Sequence, residues 1–265
     1  MLKDITLGQF FPGNTIVHRL DPRTKLILVV VYIIALFQAK GWISYGAVTL
    51  ATVLCMILSH IRPKNIFKGL KPMLFIIALT ALLNLFYTEG REIIPGWHMT
   101  WEGLERSVQM ILRIVLLITG TFLLTYTTSP IALTDGLEML LGPLKKIKVP
   151  VHEMTLMMSM ALRFIPTLIE ETDKIMSAQK ARGADFETGK LMDRAKALLP
   201  ILVPLFVSAF RRADELAVAM ESRCYHGGEG RTRMKTLHFA LHDWIALILG
   251  ALFLAGMFVM KRYGI

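Results

Sequence analysis

Residues 151–183 decide the fold, and they read VHEMTLMMSMALRFIPTLIEETDKIMSAQKARG. The stretch predicts one helix of about 48 Å over Val151–Arg182. Its first half is nearly all apolar, and its second half is charged, with apolar residues spaced along one face. Pro166 lies where the character changes. Because proline removes the hydrogen bond to the Leu162 carbonyl, we expect a kink there.

A second long helix is predicted over Leu191–Arg223, with Pro200 and Pro204 in its apolar centre. That centre is too short to cross a bilayer, and the charges on both sides of it oppose insertion. We expect this helix and the shorter stretch Ile131–Leu144 to lie at the membrane surface, with their apolar faces towards the lipid. Residues 129–236 are therefore predicted to form a cytoplasmic platform of long, kinked, amphipathic helices.

The composition indicates a membrane protein. Of the 265 residues, 54% are hydrophobic and 19% are charged, and the mean hydropathy is +0.53. A chain of this composition has more apolar surface than a soluble core of this size can bury. The same values exclude disordered, collagen-like and disulfide-rich proteins. The net charge of +10 suits the anionic cytoplasmic face of a bilayer, and we predict no nucleic-acid partner. Cys55 and Cys224 lie in an apolar and a charged stretch, so we expect no disulfide.

Five apolar runs predict transmembrane helices: Leu26–Ala39, Trp42–Ser59, Met73–Tyr87, Val108–Thr127 and Trp244–Met260. The first run is short for a hydrocarbon core of about 30 Å, and we expect Lys25 and Lys40 at its ends to snorkel outwards and lengthen it. The basic segments before the first run and after the second predict a cytoplasmic N-terminus.

The chain is therefore predicted to be an all-α polytopic membrane protein in three parts. Residues 1–128 form a membrane domain of four spans, residues 129–236 form the platform, and residues 237–265 form a C-terminal span. Arg113 is the one charged residue that lies clearly within a predicted span. It marks either an ion or substrate site, or, as we favour, an arginine near the outer membrane surface that snorkels or pairs with Glu102 or Glu105.

Two features of the platform indicate partners. Methionines crowd the first long helix, at positions 154, 157, 158, 160 and 176, and such a face either adapts to several partners or packs ordinarily. The second feature is that both long helices end on an arginine, in Ala181-Arg182-Gly183 and in Ser222-Arg223-Cys224. Glycine is the commonest helix cap, but cysteine is a poor left-handed one, so capping explains the second ending less well. We expect both guanidinium groups to enter pockets of other proteins.

The sequence lacks the motifs of several classes of enzyme and metal site. There is no P-loop, no zinc-protease histidine pair and no nucleophile elbow, and the seven histidines form no ligand cluster. We therefore predict no catalytic residue and no metal site. The spans carry almost no carboxylates for a proton relay, so a partner should supply the energy for transport. Two alternatives stay open, a stand-alone channel or carrier and an intramembrane enzyme acting on lipid.

Three separated motifs carry a resemblance to a known family: His18-Arg-Leu-Asp-Pro-Arg-Thr-Lys25; Ala161-Leu-Arg-Phe-Ile-Pro166 followed by Ala178-Gln-Lys-Ala-Arg-Gly183; and Ala219-Met-Glu-Ser-Arg-Cys-Tyr225 followed by Gly228-Glu-Gly-Arg-Thr-Arg233. The chain resembles, over nearly its whole length, the transmembrane T component of energy-coupling factor (ECF) transporters, the CbiQ/EcfT family. This resemblance implies a non-catalytic subunit of a bacterial cell membrane. Its implied partners are two ABC-type ATPases, which bind ATP and Mg²⁺, and one membrane-embedded S component, which captures a vitamin or metal ion. The chain itself is expected to hold no cofactor.

The resemblance also implies roles for residues of the platform. The ATPase-docking residues would be Ala181, Arg182 and Gly183 in the first motif, and Ser222, Arg223 and Cys224 in the second, which departs from the family pattern on both sides of its arginine. The expected surface for the S component comprises Met154, Met157, Met158, Leu162, Leu202 and Phe206. The expected hinges are Pro166, Pro200 and Pro204.

Overall fold

A computed structural model describes residues 10–91, 100–184, 186, 191–228 and 237–263. Within them the chain is all-helical, which confirms the predicted class. The α-helices are, in order, α1 (Ile16–Arg19), α2 (Pro22–Gln38), α3 (Trp42–Ser59), α4 (Pro63–Leu70), α5 (Leu74–Tyr87), α6 (Trp101–Thr127), α7 (Pro130–Leu140), α8 (Val151–Ala181), α9 (Leu191–Glu221) and α10 (Leu241–Tyr263). The described residues of 10–139 and 237–263 form one compact unit, and those of 140–228 form a second.

Four helices in the described part of the chain are long and apolar enough to cross a membrane. They are α3, the stretch Pro63–Tyr87 that joins α4 to α5, α6 and α10. The predicted run Leu26–Ala39 lies in α2, which has 17 residues and a length of about 26 Å. It is not among the four, so the predicted count of five spans is not confirmed. The chain is a multi-pass membrane protein.

The first unit is built around α6, against which α2, α3 and α5 pack, while α10 packs along α2. Its largest buried cluster contains Leu36, Tyr45, Val48, Leu116 and Met257. Outward-facing side chains of the same helices are largely apolar and exposed, as is expected of a lipid-facing surface.

Close contact between α2 and α6 depends on a glycine. The ring of Tyr32 lies over Gly120, where a β-carbon would come within 2.4 Å of Tyr32 Cε1. The Tyr32 hydroxyl donates to the Leu116 carbonyl at 2.9 Å and shares a 2.9 Å hydrogen bond with Thr52 Oγ1. One tyrosine therefore joins α2, α3 and α6, with its polar atom satisfied inside the protein.

Lys25 does not snorkel as the sequence predicted. It is 5% exposed, and its ammonium group donates to the carbonyls of Thr127 (2.9 Å) and His18 (3.1 Å) and to Thr128 Oγ1 (3.2 Å). The physical reason is that two oxygens at the end of α6 and the His18 carbonyl of α1 together satisfy all three donors of the ammonium group. Lys25 therefore joins the beginning of α2 to the end of α6.

Asp243, which is 1% exposed, joins the same region to α10. Its Oδ1 accepts the N–H of Asp21 at 2.8 Å, and its Oδ2 accepts the N–H of Ala240 at 2.9 Å. Asp21 in turn caps α2 by accepting the N–H of Arg23 at 2.9 Å. We call Asp21, Arg23, Lys25 and Asp243 the helix-end network.

Arg23 completes this network. Its guanidinium pairs with the Asp21 carboxylate at 2.9 Å, donates to the Leu237 carbonyl at 3.1 Å and lies 4.0 Å from the centre of the Phe239 ring. Burial alone would raise the pKa of Asp21, but the hydrogen bonds from Arg23 and the positive charges of Arg23 and Lys25 together outweigh burial and lower that pKa. The motif of residues 18–25 thus holds three helix ends together.

Replacing Lys25 with methionine should destabilise the protein, because it leaves three oxygens without their donor and removes a positive charge near Asp243 and Asp21. Breaking a buried charged contact of this kind costs about 3–5 kcal/mol. We expect a lower midpoint of thermal unfolding, measured by circular dichroism in detergent. The matched control is Lys40→Met, since Lys40 is exposed at the other end of the same apolar run. Equal midpoints for the two variants would contradict the network's role.

Candidate functional site

The predicted site residues lie on the two long helices of the second unit. The expected helices Val151–Arg182 and Leu191–Arg223 are observed as α8 and α9, each of 31 residues. The two helices pack against each other. The two predicted helices therefore exist and form a pair. The cytoplasmic platform and its boundaries at residues 128 and 236 stay predictions.

An ion pair joins α8 to α9. Arg212 Nη2 lies 2.9 Å from Glu171 Oε2, with both side chains partly exposed. Hydrogen bonds from the Ser208 hydroxyl and the Arg212 guanidinium lower the pKa of Glu171, so the carboxylate is charged at neutral pH. The contacts of Glu171, Ser208 and Arg212 were not predicted from the sequence. The sequence did contain a signal for this contact, since Glu171 and Arg212 have opposite charges and lie at equal distances from the ends of α8 and α9.

The three predicted hinge prolines lie in helix interiors. Pro166 is inside α8, and Pro200 and Pro204 are inside α9, and both helices continue through them. Each proline leaves the carbonyl four residues earlier without its usual helical donor, so the helix is locally easier to bend. Their role as hinges stays a prediction.

The end of α8 forms a two-bond cap around Gly183. The N–H of Gly183 donates to the Lys180 carbonyl and the N–H of Ala184 donates to the Gln179 carbonyl, both at 3.0 Å. Gly183 has a φ of +90°. These two bonds and the left-handed residue define a Schellman motif, in which Arg182 is the last residue before the reversal.

The end of α9 repeats this cap. The N–H of Cys224 donates to the Glu221 carbonyl at 2.9 Å, and the N–H of Tyr225 donates to the Met220 carbonyl at 3.0 Å. Cys224 has a φ of +56°, so it adopts the left-handed conformation, which is unfavourable for a residue other than glycine. The expectation that capping explains this ending less well is therefore wrong. The hydrogen bonds of the cap outweigh the strain at Cys224.

The two arginines consequently occupy equivalent positions. Arg182 and Arg223 each precede the left-handed residue of the same motif, and both are exposed. Arg182 follows Glu171 by eleven residues, as Arg223 follows Arg212, so each lies about 16 Å along its helix from the ion pair. Among the described residues, none forms a salt bridge with either guanidinium. Both charges are available to a partner.

An apolar face occupies the other part of the helix pair. Of the predicted partner-binding residues, Met154, Met157, Met158, Leu202 and Phe206 are exposed, and Leu162 is half-buried. The structure adds further exposed apolar side chains on α9: Leu199, Val203, Val207 and Phe210. Their spacing of three to four residues was visible in the sequence and marks one helix face. The neighbouring Ile201 is 3% exposed, so this face is distinct from the packed one.

Arg113 belongs to the first unit. Arg113 donates to the Ala39 carbonyl at 3.3 Å, and the rings of Phe37 and Tyr45 lie 5.9 Å from its guanidinium. It thus contacts the end of α2, whereas Glu105 accepts from Trp42 Nε1 and Gln109. Residues 229–233 of the third motif lie outside the described residues. Within the described residues, no group of three His, Cys, Asp or Glu side chains is placed to hold a metal ion.

The sequence matches the family model CbiQ, described as cobalt transport protein, over residues 13–236. It also matches proteins named energy-coupling factor transporter transmembrane protein EcfT. The relative from Ruminiclostridium cellulolyticum is 50% identical, with 98% of each chain covered, and that from Thermosediminibacter oceani is 52% identical, with 99% covered. The relative from Bacillus subtilis is 48% identical over 99% of this chain and all of its own. The chain therefore belongs to the CbiQ/EcfT family of transmembrane components of energy-coupling factor transporters.

Proposed function

We propose that this chain is the membrane scaffold and coupling subunit of an ECF-type importer in a bacterial cell membrane, with its N-terminus in the cytoplasm. It transmits the ATP-driven motion of two ABC-type ATPases to an S component that binds a vitamin or metal ion. The chain is non-catalytic and needs no cofactor of its own, because ATP and Mg²⁺ are bound by the ATPases. The observation that carries this proposal is the pair of equivalent, exposed arginines, Arg182 and Arg223.

In this proposal, each arginine docks in one ATPase. The cap fixes the backbone around the arginine, while the guanidinium extends as a permanent charge that can satisfy several acceptors at once. Because both arginines stand at the same position of the same motif, two related ATPases can each receive the same local structure. Ala181, Gly183, Ser222 and Cys224 support the arginines through the backbone of the caps.

The ion pair between Glu171 and Arg212 is the proposed crossing point of the two arms. It holds α8 to α9 at equal distances from the two docking arginines. A displacement of Arg182 or of Arg223 would therefore move the same contact between α8 and α9. Polar contacts with defined geometry suit this role, because they fix register better than apolar contacts.

The exposed apolar face of α8 and α9 is the proposed surface for the S component. It includes Met157, Phe206 and Phe210, which are 60%, 62% and 68% exposed. An apolar surface of this kind is typical of a partner-binding site. Methionine side chains repack easily, so the same face can accept more than one S component.

Replacing both Arg182 and Arg223 with alanine should release the ATPases. Truncating a buried, paired arginine costs about 2–5 kcal/mol of binding free energy per site. Both arginines are replaced because, in a single variant, the remaining site would retain part of the binding by avidity. The measurement is co-purification of the ATPases with the tagged chain. The matched control replaces Arg163 and Arg211, two exposed arginines of the same helices. Full retention in the Arg182 and Arg223 double variant would refute the docking role.

A further control for this experiment separates the cap from the charge. Cys224→Gly keeps the left-handed conformation and removes its strain, which is about 1 kcal/mol for a non-glycine residue. The ATPases should therefore stay bound to this variant, and its unfolding temperature should not fall. Loss of the ATPases from Cys224→Gly would mean that the cysteine itself, rather than the arginine, makes the contact.

Replacing Pro166 with alanine should slow uptake without disrupting assembly, because it restores the missing hydrogen bond and stiffens α8. The assay is uptake, in reconstituted vesicles, of the ligand bound by the co-purified S component, at equal amounts of assembled complex. Pro63→Ala is the control, since Pro63 begins α4 and removes no helical bond there. Unchanged uptake by the Pro166 variant counts against a hinge.

Reversing the charge of Glu171 should impair coupling while leaving both arginines in place. In Glu171→Arg, like charges face each other, and we expect uptake to fall by about threefold or more while the ATPases still co-purify. Adding Arg212→Glu restores an ion pair of opposite polarity and should restore most of the uptake. If the double swap is no better than the single variant, the ion pair does not act as the crossing point.

A further inference from the structure

A pocket of about 460 Å³, lined by both polar and apolar residues, lies beside the connection between α3 and α4 in the first unit. Its polar lining comes from Thr15, His18, Ser59, His60, Arg62 and Asn65. Only residues 60–62 separate α3 from the Pro63–Tyr87 stretch, and both are long and apolar enough to cross a membrane. So short a connection between two spans lies at a membrane surface. The pocket is therefore at the level of lipid headgroups.

One wall of the pocket is fixed by its own hydrogen bonds. The two ring nitrogens of His18 lie 2.6 Å from Thr15 Oγ1 and 3.0 Å from the Phe11 carbonyl. The Ser59 hydroxyl donates to the Cys55 carbonyl at 2.6 Å. The N–H of Phe11 donates to the Tyr126 carbonyl at 3.0 Å, which ties this wall to α6. The wall needs no ligand to satisfy its polar groups.

Three other polar side chains of the lining are available to a ligand, and two of them, His60 and Arg62, are exposed. In the part of the chain that the structure describes, the side chains of His60, Arg62 and Asn65 have no hydrogen-bond partner. The backbone of Asn65 is nevertheless held, since its N–H donates to the Arg62 carbonyl at 3.0 Å and its carbonyl accepts from the Tyr126 hydroxyl at 3.4 Å. A guanidinium, an imidazole and an amide on a fixed backbone together suit an oxyanion.

The surrounding charge supports an anionic ligand. Residues 60–72 contain Arg62, Lys64, Lys68 and Lys71 and no acidic residue. Basic connections between spans are typical of the cytoplasmic side, where the leaflet carries anionic lipids. The pocket also has an apolar border, since Phe11 lines it at 44% exposure and the nearby Ile16 is 65% exposed. Such a border suits the acyl chains next to a headgroup.

We propose that this pocket binds the phosphate group of an anionic phospholipid, with Arg62, His60 and Asn65 as its donors. The recognised chemistry is a phosphate oxyanion, and the lipid rather than free phosphate is its source. This site is independent of the helix pair α8 and α9 and of the ATPase-docking role proposed for it.

The test is native mass spectrometry of the full-length chain in detergent, titrated with palmitoyl-oleoyl phosphatidylglycerol. Replacing Arg62 with glutamine should weaken lipid binding by about tenfold or more, because it removes a charge-assisted hydrogen bond to phosphate. Lys64→Gln is the matched control, because it removes the same charge from the same segment but from a residue that does not line the pocket. Equal weakening in the two variants would indicate general charge attraction and would overturn the site.

A second variant, Asn65→Asp, tests the pocket with nearly the same side-chain shape. Its added carboxylate should repel phosphate and reduce phosphatidylglycerol binding, and unchanged binding would contradict the proposal. Two further comparisons identify the ligand. Binding of palmitoyl-oleoyl phosphatidylcholine should be weaker than that of phosphatidylglycerol, and equal binding would refute a preference for anionic lipid. Millimolar inorganic phosphate should not displace the lipid from the wild-type chain, and displacement would show that the pocket takes a soluble anion instead.

Discussion

A charge inside a membrane protein must find its partners within the chain, and in this protein Lys25 satisfies that requirement. Its three hydrogen bonds end on oxygens of residues 18, 127 and 128, so the position of α2 depends on the end of α6. Asp243 adds the beginning of α10 through the Asp21 backbone. Polar contacts thus fix the helix ends of the first unit relative to one another. The apolar faces between those ends pack against other helices or face the lipid.

The sequence predicted the parts of this structure that depend on local pattern. The lengths of α8 and α9 follow from periodicity and from the residues at their ends, and the prediction of an all-helical membrane protein follows from composition. Lys25 was misjudged because a lysine beside an apolar run fits snorkelling and internal bonding equally well. The difference is made by Thr127 and Thr128, more than 100 positions away, which no local pattern indicates.

In the candidate site, too, local patterns were predictable from the sequence and contacts between distant residues were not. The two arginines and five of the exposed apolar residues were predicted from motif and spacing. The cap at Cys224 was misjudged because residue preference is a weak guide when two backbone hydrogen bonds favour the left-handed conformation. The contact between Glu171 and Arg212 joins residues 41 positions apart, so it became visible only with the packing of α8 against α9. The resemblance to a family is the basis of the roles proposed for these residues, and the structure shows that the two arginines lie in equivalent caps.

The repeated cap has an evolutionary consequence. One polypeptide displays the same local geometry twice, so the two related partners proposed above could each keep the recognition pocket of a common ancestor. Gene duplication of such a partner would then need no compensating change in this chain. Divergence between the duplicates would instead be free to accumulate outside the pocket, for instance where the two copies touch each other.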